Sequence, residues 1–208
     1  MDIKTNVLKR FVIYMAILTF VMFTVWALVR SFMNRPPGDY ETEVCDIRLK
    51  DKKYDEAIVA ANTALLKTPN HRGAIMCKAL AFISEKKYKK ANDQLNFLIN
   101  FLEKNLEDDD KTGIGTLAAA YANRGIIKDR NEDYEEALKD YVKALGIDRD
   151  AVAGPGLGTI ILNYKFKSSS VRERALYLNE QLQLPENERI LTIEELDEGQ
   201  VMHKPGKL

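Results

Sequence analysis

Three short segments repeat one pattern, a Tyr placed three residues ahead of an Ala and set among charged residues: Lys53-Tyr54-Asp55-Glu56-Ala57, Lys87-Tyr88-Lys89-Lys90-Ala91 and Asp133-Tyr134-Glu135-Glu136-Ala137. The first two stand 34 residues apart. A period of that length means that one supersecondary unit is built several times and buries its apolar face against its neighbour. Small residues recur at matching places: Cys45, Ala79 and Gly125 on one helix of each pair, Ala57, Ala91 and Ala137 on the other. They let two antiparallel backbones approach, while Tyr54 and Tyr88 fill the gaps between neighbouring pairs.

The pattern resembles the tetratricopeptide repeat. It is carried by Ala57, Ala61, Ala64 and Pro69 in the first unit and by Ala79, Phe82, Tyr88, Ala91, Leu95 and Leu98 in the second. Gly125, Tyr134, Ala137, Tyr141 and Ala144 carry it in the third. The resemblance implies an all-α fold, a solenoid of three helical hairpins over 40–150 with units at 40–70, 71–104 and 118–150. Ala91 and Ala137 are 46 residues apart, so an insert at 105–117 lengthens the second helix and the loop after it. The acidic run 107–110 reads as an exposed turn; EF-hand spacing and its Gly are missing.

After Asp150 the pattern weakens. Glycines and a proline interrupt 154–158, and 157–166 then reads as a short helix. Ser170-x-x-Glu173 is a capping-box signature that starts a second helix near Val171 and carries it toward Pro185. This degenerate pair, 151–185, caps the open end of the array. The tail, 186–208, is polar, with an apolar cluster at Ile190, Leu191, Ile193 and Leu196 that packs on the array, the remainder fraying.

At the other end, 11–29 holds 19 uncharged residues, which as a helix span about 28 Å and match the roughly 30 Å hydrocarbon core of a bilayer. The run is longer than a cleaved signal peptide's apolar region and ends in Leu28-Val29-Arg30. We therefore read a basic flank at 1–10, a transmembrane signal anchor at 11–32 and a stiff Pro/Gly linker at 33–39. Lys4, Lys9 and Arg10 oppose Arg30 and Arg35, which favours a cytoplasmic N-terminus weakly. In a bacterium this orientation places the array in the periplasm, anchored in the inner membrane; an organelle receptor with a cytosolic array is the topological variant.

Residues 1–35 carry five bases and one acid, leaving 26 bases and 30 acids beyond them. An array near −4 has no basic stripe for a nucleic-acid backbone. Cys45 and Cys77 show no CxxC spacing, and His71 and His203 lie far apart, so neither a metal site nor a disulfide framework is legible. Both cysteines read as small buried hydrophobes. No Ser/His/Asp or Cys/His set and no phosphate loop stands in the sequence. We expect no enzyme, no cofactor, no metal and no small-molecule substrate.

In tetratricopeptide arrays the first helices of successive units line a concave groove. Carried over by position, the groove residues are Leu49, then Met76, Leu80 and Ile83, then Asn123, Ile126 and Arg130. Helix 75–83 is apolar on nearly every side and must be covered on all of them. Either the chain's own segments or another protein covers it. The places where chaperone-binding members carry a basic carboxylate clamp hold Thr42, Asp46, Cys77, Ala119 and Asn123, so that clamp is missing. Arg124 and Asp140 read as an ion pair between the helices of unit three. The expected role is a membrane-anchored scaffold or assembly factor that holds a segment of a membrane or envelope protein; the alternative is a chaperone-like or translocon-associated receptor for unfolded or exported clients.

Overall fold

The computed structural model describes residues 5–33, 35–152, 170–193 and 203. Among them are eight α-helices and no strand: α1 (Thr5–Met33), α2 (Asp39–Lys50), α3 (Tyr54–Lys67), α4 (Arg72–Ser84), α5 (Tyr88–Asn105), α6 (Lys111–Arg130), α7 (Tyr134–Ile147) and α8 (Val171–Leu182). A 3₁₀ turn, Glu186–Glu188, follows α8. The helix expected at 157–166 and Leu196 lie outside the described residues.

α2 with α3, α4 with α5 and α6 with α7 form three antiparallel hairpins. The first helices α2, α4 and α6 also touch in sequence, making one layer, and α8 packs on α7. The small residues at the crossing points, Cys45, Ala57, Ala79, Ala91 and Ala137, are all fully buried. Gly125 makes the closest approach: a Cβ there would stand 2.6 Å from Cε1 of the buried Tyr141.

The three hairpin turns share one construction. Lys52, Lys86 and Glu132, each two residues ahead of the repeated Tyr, adopt positive φ of 60°, 59° and 65°. In each, the N–H of that residue donates three residues back and the next N–H five residues back, as in Lys86 N to Ile83 O (2.9 Å) and Lys87 N to Phe82 O (2.8 Å). This is the Schellman ending, whose left-handed residue suits glycine. A non-glycine residue there costs about 1–2 kcal/mol, offset in part by the extra freedom glycine has when unfolded. Glu132→Gly should thus raise stability by about 0.5–1 kcal/mol, read as a thermal midpoint higher by about 2 °C.

The insert lengthens two helices rather than one, since α5 runs to Asn105 and α6 begins at Lys111. Asp110 leaves the exposed acidic run to cap α6, accepting from Gly113 N at 2.7 Å, and pairs with Arg72. That pair and the Gly113 N–H hold its carboxyl below the usual range. Ser170 and Glu173 form the expected capping box at the start of α8.

α1 contains a 24-residue apolar stretch, Val7–Arg30, long enough to cross a membrane, with none of its side chains covered by the rest of the chain. Its exit is short. Gly38, at φ 95°, opens α2, and Thr68 Oγ1 donates to Pro37 O at 2.7 Å, which ties the linker to the end of α3.

Candidate functional site

The residues expected in the groove fall on the layer of first helices at different depths. Met76, Leu80, Ile83, Asn123 and Ile126 are at most 3% exposed. Leu49 is half-buried and packs against the core, and Arg130 is exposed at the end of α6. Leu80 and Ile83 belong to the same buried cluster as Leu95, Leu98 and Ile126. A charge at Leu80 would therefore disrupt the core as well as the face.

Asn123 is the polar member among these five buried positions. Its side chain is fully buried on α6, and its amide engages the main chain of a residue 80 positions away: Nδ2 donates to the His203 carbonyl at 2.7 Å, and Oδ1 accepts from the His203 N–H at 2.9 Å. The sulfur of Met76 on α4 lies 3.5 Å from the same Nδ2. One planar amide thus satisfies both backbone groups of one residue, which meets the requirement that buried polar groups be paired. It reads backbone, not side-chain identity. His203 itself is 6% exposed, and burial lowers its imidazole to a pKa of about 4, so the ring is neutral at pH 7.

His203 is a correction to the expectation that the end of the tail frays. Of the apolar cluster before it, Leu191 packs on the core while Ile190 is exposed. Nothing in a lone histidine within a polar stretch signals docking; the only available hint was that a helix apolar on all sides must be covered.

The cysteines also correct the sequence reading. Cys45 on α2 and Cys77 on α4 are fully buried, as expected, but they are joined in a disulfide, with Cα atoms 6.4 Å apart. Asp46 brings a carboxylate oxygen within 4.8 Å of both sulfurs. With the sulfurs bonded to each other there is no thiolate to ligate a metal.

Two ion-pair networks brace the third unit. Arg124 Nε and Nη2 each lie 2.7 Å from the Asp140 carboxylate, as expected for these two helices, and Lys128 joins at 3.0 Å. Asp140 is 4% exposed, so its carboxylate is buried in this pair. The second network was not legible: Arg174 of α8 donates to Asp129 at 2.8 and 2.7 Å and to the Leu191 carbonyl at 2.9 Å, while Tyr141 donates to Asp129 at 3.0 Å.

Hairpins stacked with their first helices in one layer define the class as a tetratricopeptide-type helical solenoid, and residues 118–150, covering most of α6 and all of α7, match the tetratricopeptide repeat family model. Among solved structures, the first tetratricopeptide domain of Spaghetti (RPAP3) bound to the HSP90 peptide SRMEEVD is similar in fold, with a TM-score of 0.50 at 19% identity over 71% of this chain and 94% of that one. The first such domain of human RPAP3, solved by NMR, gives 0.46 at 22% identity, covering 70% and 98%. No curated protein sequence matches the chain significantly.

Proposed function

We propose that the chain is a membrane-anchored protein-interaction module, a scaffold or assembly factor whose first-helix face holds an extended segment of a membrane or envelope protein. The observation that carries this reading is the Asn123 amide, which already grips a main chain through its N–H and C=O. Main-chain capture of this kind supplies affinity without demanding a particular side chain.

The RPAP3 domain holds a peptide that ends in acidic residues. The equivalent places here hold Thr42, Asp46, Cys77, Ala119 and Asn123, none of them basic, and Cys77 is closed in the disulfide. An acidic tail finds no counter-charge among these residues, so an uncharged segment is the better occupant.

Three observations support this location. The apolar stretch of α1 supports an anchor, and a linker of only five residues between α1 and α2, 34–38, would hold the array close to the bilayer, which raises its effective concentration near membrane partners. The disulfide supports an array on the oxidising side, because such bonds persist outside the reducing cytosol. In a bacterium that side is the periplasm.

The test is crosslinking in intact membranes, followed by purification of the full-length protein and mass spectrometry, with Asn123→Ala as the comparison. We expect one stoichiometric membrane complex, reduced at least tenfold in the variant while the helical array still melts cooperatively. Equal recovery in both proteins would remove the first-helix face from the interaction, and a broad spread of exported clients would replace the scaffold with a chaperone-like receptor.

A further inference from the structure

We propose that the segment carrying His203 is a resident occupant of the first-helix face, clamped by Asn123, and that a partner segment must displace it to bind. The proposal rests on the interaction face described above and adds its regulation and the class of ligand it accepts.

The geometry makes the two occupants exclusive. Asn123 has one amide, and both of its faces are committed to His203, at 2.7 and 2.9 Å. A second main chain cannot use Nδ2 and Oδ1 while they are so engaged. When the segment leaves, the fully buried amide must find water or another backbone, because an unpaired buried polar group is costly. The face is therefore built to be filled, and any occupant has to present an N–H and a C=O from one extended residue.

Burial defines the ligand further. His203 is 6% exposed, so the residue at the clamped position sits in a low-dielectric site where a fixed charge would be penalised. A competing segment should therefore be extended and carry an uncharged residue at that point.

The tether sets how strongly the resident competes. Leu191, twelve residues before His203, is pinned by Arg174 through its carbonyl. A segment held that close is present at an effective concentration on the order of millimolar. Held by the tether, the two hydrogen bonds to Asn123 and the burial of His203 keep the segment in place without a high intrinsic affinity, which leaves it displaceable.

The test uses the full-length protein in detergent micelles and a fluorescein-labelled peptide of residues 198–208, EGQVMHKPGKL. His203→Pro in the protein removes the N–H that donates to Asn123 and leaves the array untouched. Peptide affinity measured by anisotropy should rise about tenfold over wild type, the equivalent of about 1.4 kcal/mol. Adding Asn123→Ala should abolish that gain. In parallel, hydrogen exchange should show the His203 region protected in wild type and open in Asn123→Ala, with α2 to α5 equally protected in both as proof of folding.

Several results would overturn the latch. Equal peptide affinity in wild type and His203→Pro, whether tight or absent, would mean that the tail does not occupy the face. If that equal affinity is tight and lost in Asn123→Ala, the interaction face survives and only its regulation fails. Protection of the His203 region that vanishes on dilution would place the segment on a second copy of the chain instead.

Discussion

Arg174→Ala should destabilise the third unit and its cap by about 3–5 kcal/mol, because it breaks a buried ion pair by removing its cation. Asp129 is 5% exposed and accepts from Nε and Nη2 of Arg174 along with the Tyr141 hydroxyl. Removing the guanidinium takes the cation away from that carboxylate and also frees the Leu191 carbonyl, which anchors the start of the tail. Denaturant unfolding of the full-length protein would show the loss, and hydrogen exchange would localise it to α7 and α8. A triple replacement, Asp129→Leu with Arg174→Met and Tyr141→Phe, removes these three polar groups together. It should recover most of the loss, since exchanging a buried ion pair for apolar groups of similar size is often neutral or better. If Arg174→Ala instead costs less than about 1 kcal/mol, the pair behaves as a solvated surface contact and the cap is held by its apolar residues Val171, Ala175 and Leu178 alone.

Replacing both cysteines, Cys45→Ala with Cys77→Ala, should cost roughly 3–4 kcal/mol in the chain-entropy account of a disulfide. The bond spans 32 residues, and cutting it returns that loop's freedom to the unfolded chain. In an array whose units touch only their neighbours, the effect should concentrate in α2 to α5. Thermal unfolding with and without reductant checks the magnitude. Because both sulfurs are fully buried, reductant should act on the wild type only through prior opening. An unchanged midpoint for the double variant would show that helix packing alone holds the first two units together.

The repeat was legible because it is periodic. Tyr54, Tyr88 and Tyr134 mark the second helices, and the small residues mark the crossings, so local pattern sufficed for hairpins and for the capping box at Ser170. What escaped were pairings without a period. Cys45 and Cys77 are 32 residues apart in an array that repeats at 34, so they occupy unlike places in their units and meet only because first helices pack side by side. Asp129 and Arg174 join a repeat to a helix outside the repeat, and Asn123 meets His203 across 80 residues. In each case the signal is a three-dimensional complement between two residues that are ordinary in their own surroundings. The positive φ of Lys52, Lys86 and Glu132 was hidden for another reason: the turn demands that conformation, but the residues there are not the glycine that would have announced it.

The disulfide also changes how the molecule would carry a load. Tension entering from the α1 side reaches α2 and then has a covalent short cut to α4, so the stretch from Cys45 to Cys77 contributes a span fixed near the 6.4 Å between their Cα atoms. Pulled out straight, that stretch would measure roughly 105–115 Å. It is hidden length, released only by a reductant, and the protein under force is a shorter and stiffer spring on its α1 side than on its α8 side.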